Sequence, residues 1–358
     1  MTYRTLVINL GSTSSKVAVY EEIQLMWESK ISHSMNELAV FPSIISQKEY
    51  RQNLILSALR AASIELASLS AIAARGGLLK PLISGTYTIN QAMVDALMNT
   101  TRGEHASNLC AVIAFDLGKQ QGIPSYIVDP VCVDEMEDIA RISGMADIER
   151  TSIFHALNHK AIGRRVAFDY HTEYDRLNLI IAHLGSGISV ACHHKGRVID
   201  VNNGLDGDGP MSMERSGSVP MGPLYKMCFS GKYTLDEIRQ KNYGQGGIVS
   251  YLHINDAREI IKRIEQGDMY AKLIFDAMIY QLAKEIGACA TVFKGNVDYI
   301  VLTGGLAHSE YLVQEVKERI AFIAPLLVYP GENEMLSLAQ GVLRVLKKEE
   351  IAKEFIAD

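Results

Sequence analysis

Cysteine is scarce in this 358-residue chain, and nothing in its spacing suggests a framework: Cys110, Cys132, Cys192, Cys228 and Cys289 are odd in number, far apart and free of any C-x-x-C pair. That excludes a disulfide scaffold or a cysteine metal cluster and suits reduced thiols in a cytosol. No apolar run approaches the ~18 to 20 residues of a membrane span, and the first residues lack the charged and apolar regions of a signal peptide, so a cytoplasmic location without membrane contact is expected. Excess positive charge is also missing. With a formal charge of −6 and a pI near 6.0, non-specific nucleic-acid binding is disfavoured, and any positive field that matters must be local. Two phosphate-binding signatures are absent as well: there is no G-x-x-x-x-G-K-[ST] run and no G-x-G-x-x-G opening a helix, so neither a Walker ATPase nor a dinucleotide fold is supported.

What is present is an ordinary globular composition, 48% hydrophobic and 21% charged, in a chain longer than one core usually serves. Two domains and a cleft are therefore expected. Strand-like runs fall at 3–10, 16–20 and 24–31, followed by helical stretches near 47–68 and 104–120. Short apolar strands end in "AIAARGG" (71–77) and "SYIVDP" (125–130). The segment "NLIIAHLGSGISVACHHKGRVIDV" (178–201) repeats the strand, glycine turn, strand, turn, strand order of residues 5–31. Helical periodicity then covers 256–294, "DYIVLTGGLAHS" (298–309) is a strand running into a glycine turn, and a helix is expected at 335–349. Two copies of a three-stranded meander with alternating helices and strands predict two α/β domains with a mixed sheet each. We draw them as 1–150, with 335–358 packing back on it, and 151–334.

Several short stretches carry possible chemistry. "VINLGSTSSKVAVY" (7–20) interrupts a strand with Gly11, four hydroxyls and Lys16. It reads equally as a hairpin turn or as a phosphate cradle, in which glycine lets backbone approach an anion that hydroxyls and an ammonium then bind. Arg75 before Gly76-Gly77 and Arg215 in "MSMERSGSVP" sit among small residues, where a guanidinium fork can meet carboxylate or phosphate oxygens or simply lie in solvent. Asp129 ends an apolar strand and precedes Pro130, the place of a site carboxylate or of a turn. His155 and His159 are spaced to share a helix face, but Ala156 stands where H-E-x-x-H needs glutamate, and no third zinc ligand is evident. His193 and His194 precede the Lys195-Gly196 turn and are expected to be exposed.

The ordered blocks "NLGSTSSK", "RGG", "EHASNL", "VDP", "FHALNHK", "HLGSG", "MERSGS", "DAR", "LTGGLAHS" and "ENE" span nearly the whole chain. This set resembles the acetate and butyrate kinase family, most closely its butyrate and branched-chain carboxylate members. The resemblance implies a duplicated two-domain α/β fold of the actin, Hsp70 and sugar-kinase (ribonuclease H-like) type, with ATP/ADP and Mg²⁺ as cofactors and a short carboxylic acid as substrate. It also implies a homodimer or higher homo-oligomer. Position by position, it places Asn9, Ser12, Ser14 and Lys16 at the phosphates, with His183, Gly185, Ser186 and Gly187 as a second phosphate loop. Asp256, Arg258, Gly304 and Gly305 match the nucleoside side. Arg75 and Arg215 would flank carboxylate and phosphoryl group, His155 would stabilise the transition state, and His105 and Phe154 would lie on the substrate side. Asp129, Glu334 and Asn9 would hold the metal.

Acetate-specific members carry Arg-Val-Val-His-Gly-Gly where this chain has Arg75-Gly76-Gly77, and a proline where ungapped alignment gives Asp206. Both departures fall where the acyl tail would lie, which favours butyrate or a branched short acid over acetate or propionate. The family's Gly-Ile-Gly-Glu-Asn is replaced by Gly305-Leu306-Ala307-His308-Ser309, leaving the purine contacts unassigned. Two other classes share such a fold: a sugar kinase with Asp129 as base, and a nucleotide-switched, partner-binding protein of the actin or Hsp70 kind.

Overall fold

The apolar runs that open the chain form three strands in the computed structural model, which describes residues 2–100 and 103–357. Arg4–Leu10 (β1), Ser14–Glu21 (β2) and Gln24–Ser32 (β3) pair antiparallel as a meander. Ala71–Arg75 (β4) lies parallel to β1. Thr86–Thr88 (β5) runs antiparallel to Ser125–Val128 (β6), which itself lies parallel to β4. The short strand Lys353–Glu354 closes the far edge of this seven-stranded sheet.

These strands belong to the first of two compact units, Met1–Val133 with Asn333–Asp358. Its β1 is buried on both faces from Thr5 to Leu10. Leu6, Ile8 and Leu10 point to one core together with Ile55, Met93 and Leu109, which come from the helices Lys48–Ala61, Gln91–Met98 and Ala106–Gln121. The helix Glu334–Leu346 packs on β1, β4 and β6 without joining that cluster, so it covers the other face. A one-residue slip of β1 would exchange its two faces, so the apolar pattern fixes the register that aligns the strand ends described below.

The second unit, Asp134–Glu332, repeats the plan. Asn178–Leu184 (β7), Ile188–His194 (β8) and Arg197–Val201 (β9) form the meander. Tyr299–Gly304 (β10) runs parallel beside β7, and Leu326–Pro330 (β11) parallel beside β10. The order β11-β10-β7-β8-β9 matches β6-β4-β1-β2-β3 strand for strand. Alternation again assigns the faces: Ile180, Ala182 and Leu184 join the long helix Met269–Val292, whereas Leu179 and Ile181 join Val166 and Ala167 of the helix Ala156–Asp169.

Two expected helices end earlier than their periodicity. The 47–68 stretch is helical only over Lys48–Ala61, because Ser63 turns left-handed at φ 55° and a short 3₁₀ turn follows. The 256–294 stretch is two helices, Ala257–Glu265 and Met269–Val292. Gly267, at φ 90°, breaks the ladder, and Asp268 caps the second helix by accepting from the Ala271 N–H at 2.9 Å. No described helix is long and apolar enough to cross a membrane.

Candidate functional site

In the first unit, Ile8 pairs with Ala74 and Arg75 with Val128, so the parallel strands β1, β4 and β6 end side by side. Asn9, Arg75 and Asp129 therefore stand in a row at the carboxyl edge, where α/β sheets place ligands. Asn9 Nδ2 donates to Glu334 Oε2 at 2.7 Å, and its Oδ1 accepts from Arg75 at 3.4 Å. Arg75 is itself 3.6 Å from Glu334 Oε2. Asp129 is 1% exposed. Its Oδ1 accepts from Ser84 Oγ at 2.6 Å and from the Gly85 N–H at 2.8 Å, and its φ of 38° is rare for a side-chain-bearing residue.

Local packing explains the glycines of the Arg-Gly-Gly motif. A Cβ on Gly76 would lie 3.0 Å from Pro130 Cα, and one on Gly77 would lie 2.7 Å from Asn108 Cα. The Arg75 and Asp129 turns can be neighbours only with bare backbone there. The opening Gly-Ser-Thr turn is held by Arg51, which is 1% exposed and donates to the carbonyls of Gly11 and Ser12 at 3.0 and 2.9 Å. Ser12 and Lys16 are exposed and Ser14 half-buried. Lys16 sits opposite Asn9 in the antiparallel pair, so the two share a face. His105 caps the helix Ala106–Gln121 by accepting from the Ser107 N–H at 3.2 Å. Burial, then the charges of Arg75 and Arg51, hold its pKa below the ordinary histidine value.

The second unit builds a matching row. Thr303 pairs with His183, and Gly304 with Pro330, so β7, β10 and β11 also end together. Gly304, at φ 89°, passes so close to Leu184 that a Cβ would lie 2.7 Å from its nitrogen, which brings the Gly304-Gly305 turn beside the His183–Gly187 turn. Within the latter, the Gly185 N–H donates to Gly187 O at 3.0 Å. The Arg215 guanidinium fills the space a Cβ on Gly187 would take and donates to Gly204 O. Burial lowers the Arg215 pKa from its ordinary value.

His155 stacks on His183 with ring centroids 3.9 Å apart. His183 Nδ1 is 2.9 Å from Asn158 Oδ1, while its Nε2 lies 3.0 Å from Glu332 Oε1 but off the line of a hydrogen bond. Phe154, 3% exposed, packs edge-on against His159.

Asp256 caps its own helix and pairs with Arg258 at 2.7 Å, which pulls its pKa down to about 2. His193, expected to be exposed, is fully buried. It lies on β8, bonded to His159 at 3.2 Å and to Tyr174 at 2.5 Å, so its place in a hairpin says nothing of the face it occupies. Among the described residues no three His, Cys, Asp or Glu side chains form a metal-binding cluster, and His155 and His159 both turn to Ser189 Oγ. Motif reading missed Arg51, Asn158, Ser189 and Glu332. Arg51 alone left a signal, since it falls in one stripe with Ile55 and Leu59, the other buried residues of its helix.

Comparison with known proteins gives the family. Residues 145–329 match the model of the acetokinase family. The chain is 51% identical over 353 residues to butyrate kinase 1 of Clostridium acetobutylicum, covering 99% of both chains. Among solved structures, it resembles acetate kinase from Porphyromonas gingivalis at a TM-score of 0.77 and 20% identity, over 96% of this chain and 100% of that one. A propionate kinase from Francisella tularensis subsp. tularensis SCHU S4 follows at 0.73 and 20%, over 95% and 98%. With the strand order repeated in both units, these likenesses make the fold the duplicated actin/Hsp70/sugar-kinase-like one, and the chain belongs to the acetokinase family.

Proposed function

We propose that this chain transfers the γ-phosphoryl group of ATP to the carboxylate of butyrate or a branched short-chain acid, reversibly, giving acyl phosphate and ADP by direct in-line transfer. The observation that carries the reading is the contact of Arg75, Asn9 and Glu334 at a sheet's carboxyl edge, in a chain 51% identical to a butyrate kinase. A carboxylic acid with a pKa near ~4 to 5 is already ionised at neutral pH, so the acceptor needs no general base. Transfer to an alcohol would need one. The task left to the protein is to hold two anions in line and to neutralise the charge on the phosphoryl oxygens.

Arg75 and Lys16 supply positive charge in the first unit, and Arg215 and His155 in the second. Ser12, Ser14 and the His183, Gly185, Ser186 and Gly187 turn face phosphates, and Gly304-Gly305 with Asp256 and Arg258 face the nucleoside. His105 and Phe154 line the acid's side. Asp129, Glu334 and the Asn9 amide oxygen are hard donors of the kind Mg²⁺ uses, one or two carboxylates completed by phosphates. Bound there, Mg²⁺ would neutralise phosphate charge. A cytoplasmic homodimer or higher homo-oligomer completes the reading.

The test is incubation with ATP, Mg²⁺ and a panel of short acids, trapping acyl phosphate as hydroxamate. Product from butyrate or isobutyrate and little from acetate or propionate is expected; product from acetate alone, or from no acid, rejects the reading.

A further inference from the structure

Behind His155 the second unit holds a row of polar side chains that the proposed reaction does not use. His155 Nδ1 lies 3.0 Å from Ser189 Oγ, Ser189 Oγ 2.8 Å from His159 Nε2, His159 Nδ1 3.2 Å from His193 Nε2, and His193 Nδ1 2.5 Å from the Tyr174 hydroxyl. Ser189, His159 and His193 are fully buried. The two inner imidazoles are parallel to within 6°, their centroids 5.4 Å apart. Gly163 makes room for the end of the row, since a Cβ there would lie 2.6 Å from Tyr174 Cζ.

Burial and the neighbouring Lys160 ammonium push the pKa values of His193 and His159 well down, so both rings are neutral. A neutral imidazole has one donor nitrogen and one acceptor nitrogen, and the Ser189 hydroxyl has one proton. Because that hydroxyl accepts up to two bonds but donates one, the row is continuous only where Ser189 accepts from one imidazole and donates to the other, and it is then polarised all one direction or all the other. Tyr174 decides, because a phenol O–H, with a pKa of about 10, is a better donor than the N–H of a neutral imidazole.

We propose that Tyr174, acting through His193, His159 and Ser189, fixes His155 as the tautomer with its proton on Nε2. In this arrangement the Tyr174 hydroxyl donates to His193 Nδ1, His193 Nε2–H to His159 Nδ1, His159 Nε2–H to Ser189 Oγ, and the Ser189 hydroxyl to His155 Nδ1. His155 then presents an N–H at its outer nitrogen, where a lone pair would repel a phosphoryl oxygen. The acceptor acid loses no proton, so the row has a proton to hold and none to carry away. Tyr174, His193, His159 and Ser189 are positioning residues, and their role rests on the reading of His155 as a phosphoryl-facing donor.

The full-length protein, labelled with ¹⁵N-histidine, tests this by nitrogen chemical shifts and two-bond couplings, with the signals of His155 identified by their loss in His155→Asn. His155, His159 and His193 should all be Nε2–H tautomers; Nδ1–H at His155 overturns the proposal. Tyr174→Phe should bring an Nδ1–H population to His155 and lower kcat about tenfold, with KM for acid and ATP within about twofold. An unchanged tautomer and kcat in that variant also overturn it. Should Tyr174→Phe not fold, Ser189→Ala cuts the row beside His155 and carries the same expectation. Failure of every acid to give acyl phosphate would reject the kinase reading and leave the tautomer spectrum standing, so the two failures are distinct.

Discussion

Gly187→Ala isolates the contribution of a preorganised cation better than removal of the cation itself. Gly187 does not occupy the left-handed region, so alanine fits its backbone. The three atoms nearest the new methyl all belong to the far end of Arg215, the guanidinium of a flexible side chain, which can swing aside. Swinging aside breaks the bond to Gly204 O, leaving a carbonyl short of a partner at a cost of about 1–3 kcal/mol in stability at most. The reaction should suffer more. Losing one donor aimed at developing charge lowers kcat about 10²-fold, or about 2.7 kcal/mol. We therefore expect Gly187→Ala and Arg215→Ala each to fall by about that factor in hydroxamate-trapped turnover, and the double variant to fall no further, because both remove one interaction. Normal turnover in Gly187→Ala, or losses that multiply in the double variant, would refute the claim that Gly187 is bare in order to seat Arg215.

Other perturbations follow from the same contacts. Arg51→Met keeps the bulk of a buried side chain but orphans the Gly11 and Ser12 carbonyls, so thermal unfolding should move to lower temperature by an amount equivalent to about 2–4 kcal/mol, with a raised KM for ATP; an unchanged midpoint rejects Arg51 as the holder of that turn. Glu334→Gln should raise the Mg²⁺ concentration needed for half-maximal rate; the same Mg²⁺ requirement in the variant would remove Glu334 from the metal's surroundings. His159 and His193 are held neutral when folded, so the unfolded chain binds more protons below pH about 6.5, and stability should fall as pH drops through that value by up to about 1.4 kcal/mol per pH unit for each proton. His193→Gln should make that slope shallower by about one proton in pH-dependent denaturant titrations, and an equal slope would refute the assignment.

The difference in legibility between the two glycine turns at the strand ends and the histidine row has a physical cause. Asn9, Arg75, His183 and Gly304 lie in the last two residues of apolar strands and Asp129 directly after one, and the strand ends are set by alternation that can be read from one sequence. Once β1 and β7 start parallel runs, their ends must align, and the residues there become neighbours without further information. The duplication was legible for the same reason, since a meander with a glycine turn leaves a local pattern each time it occurs. Contacts that depend on depth left none. His193 occupies a hairpin strand whose two faces are both covered, so exposure could not be inferred from its neighbours in sequence. Tyr174, Ser189 and His159 are brought together by the packing of the helix Ala156–Asp169 on β7, a tertiary event. Arg51 is the intermediate case: a cation inside an apolar stripe costs several kcal/mol unless it is bonded, so its position alone demands buried acceptors, although only the fold reveals them as the carbonyls of Gly11 and Ser12. In this chain a polar residue on an apolar face is therefore the sign that motif reading passed over, and the structure ties it to the turn that the glycine and hydroxyl pattern leaves undecided.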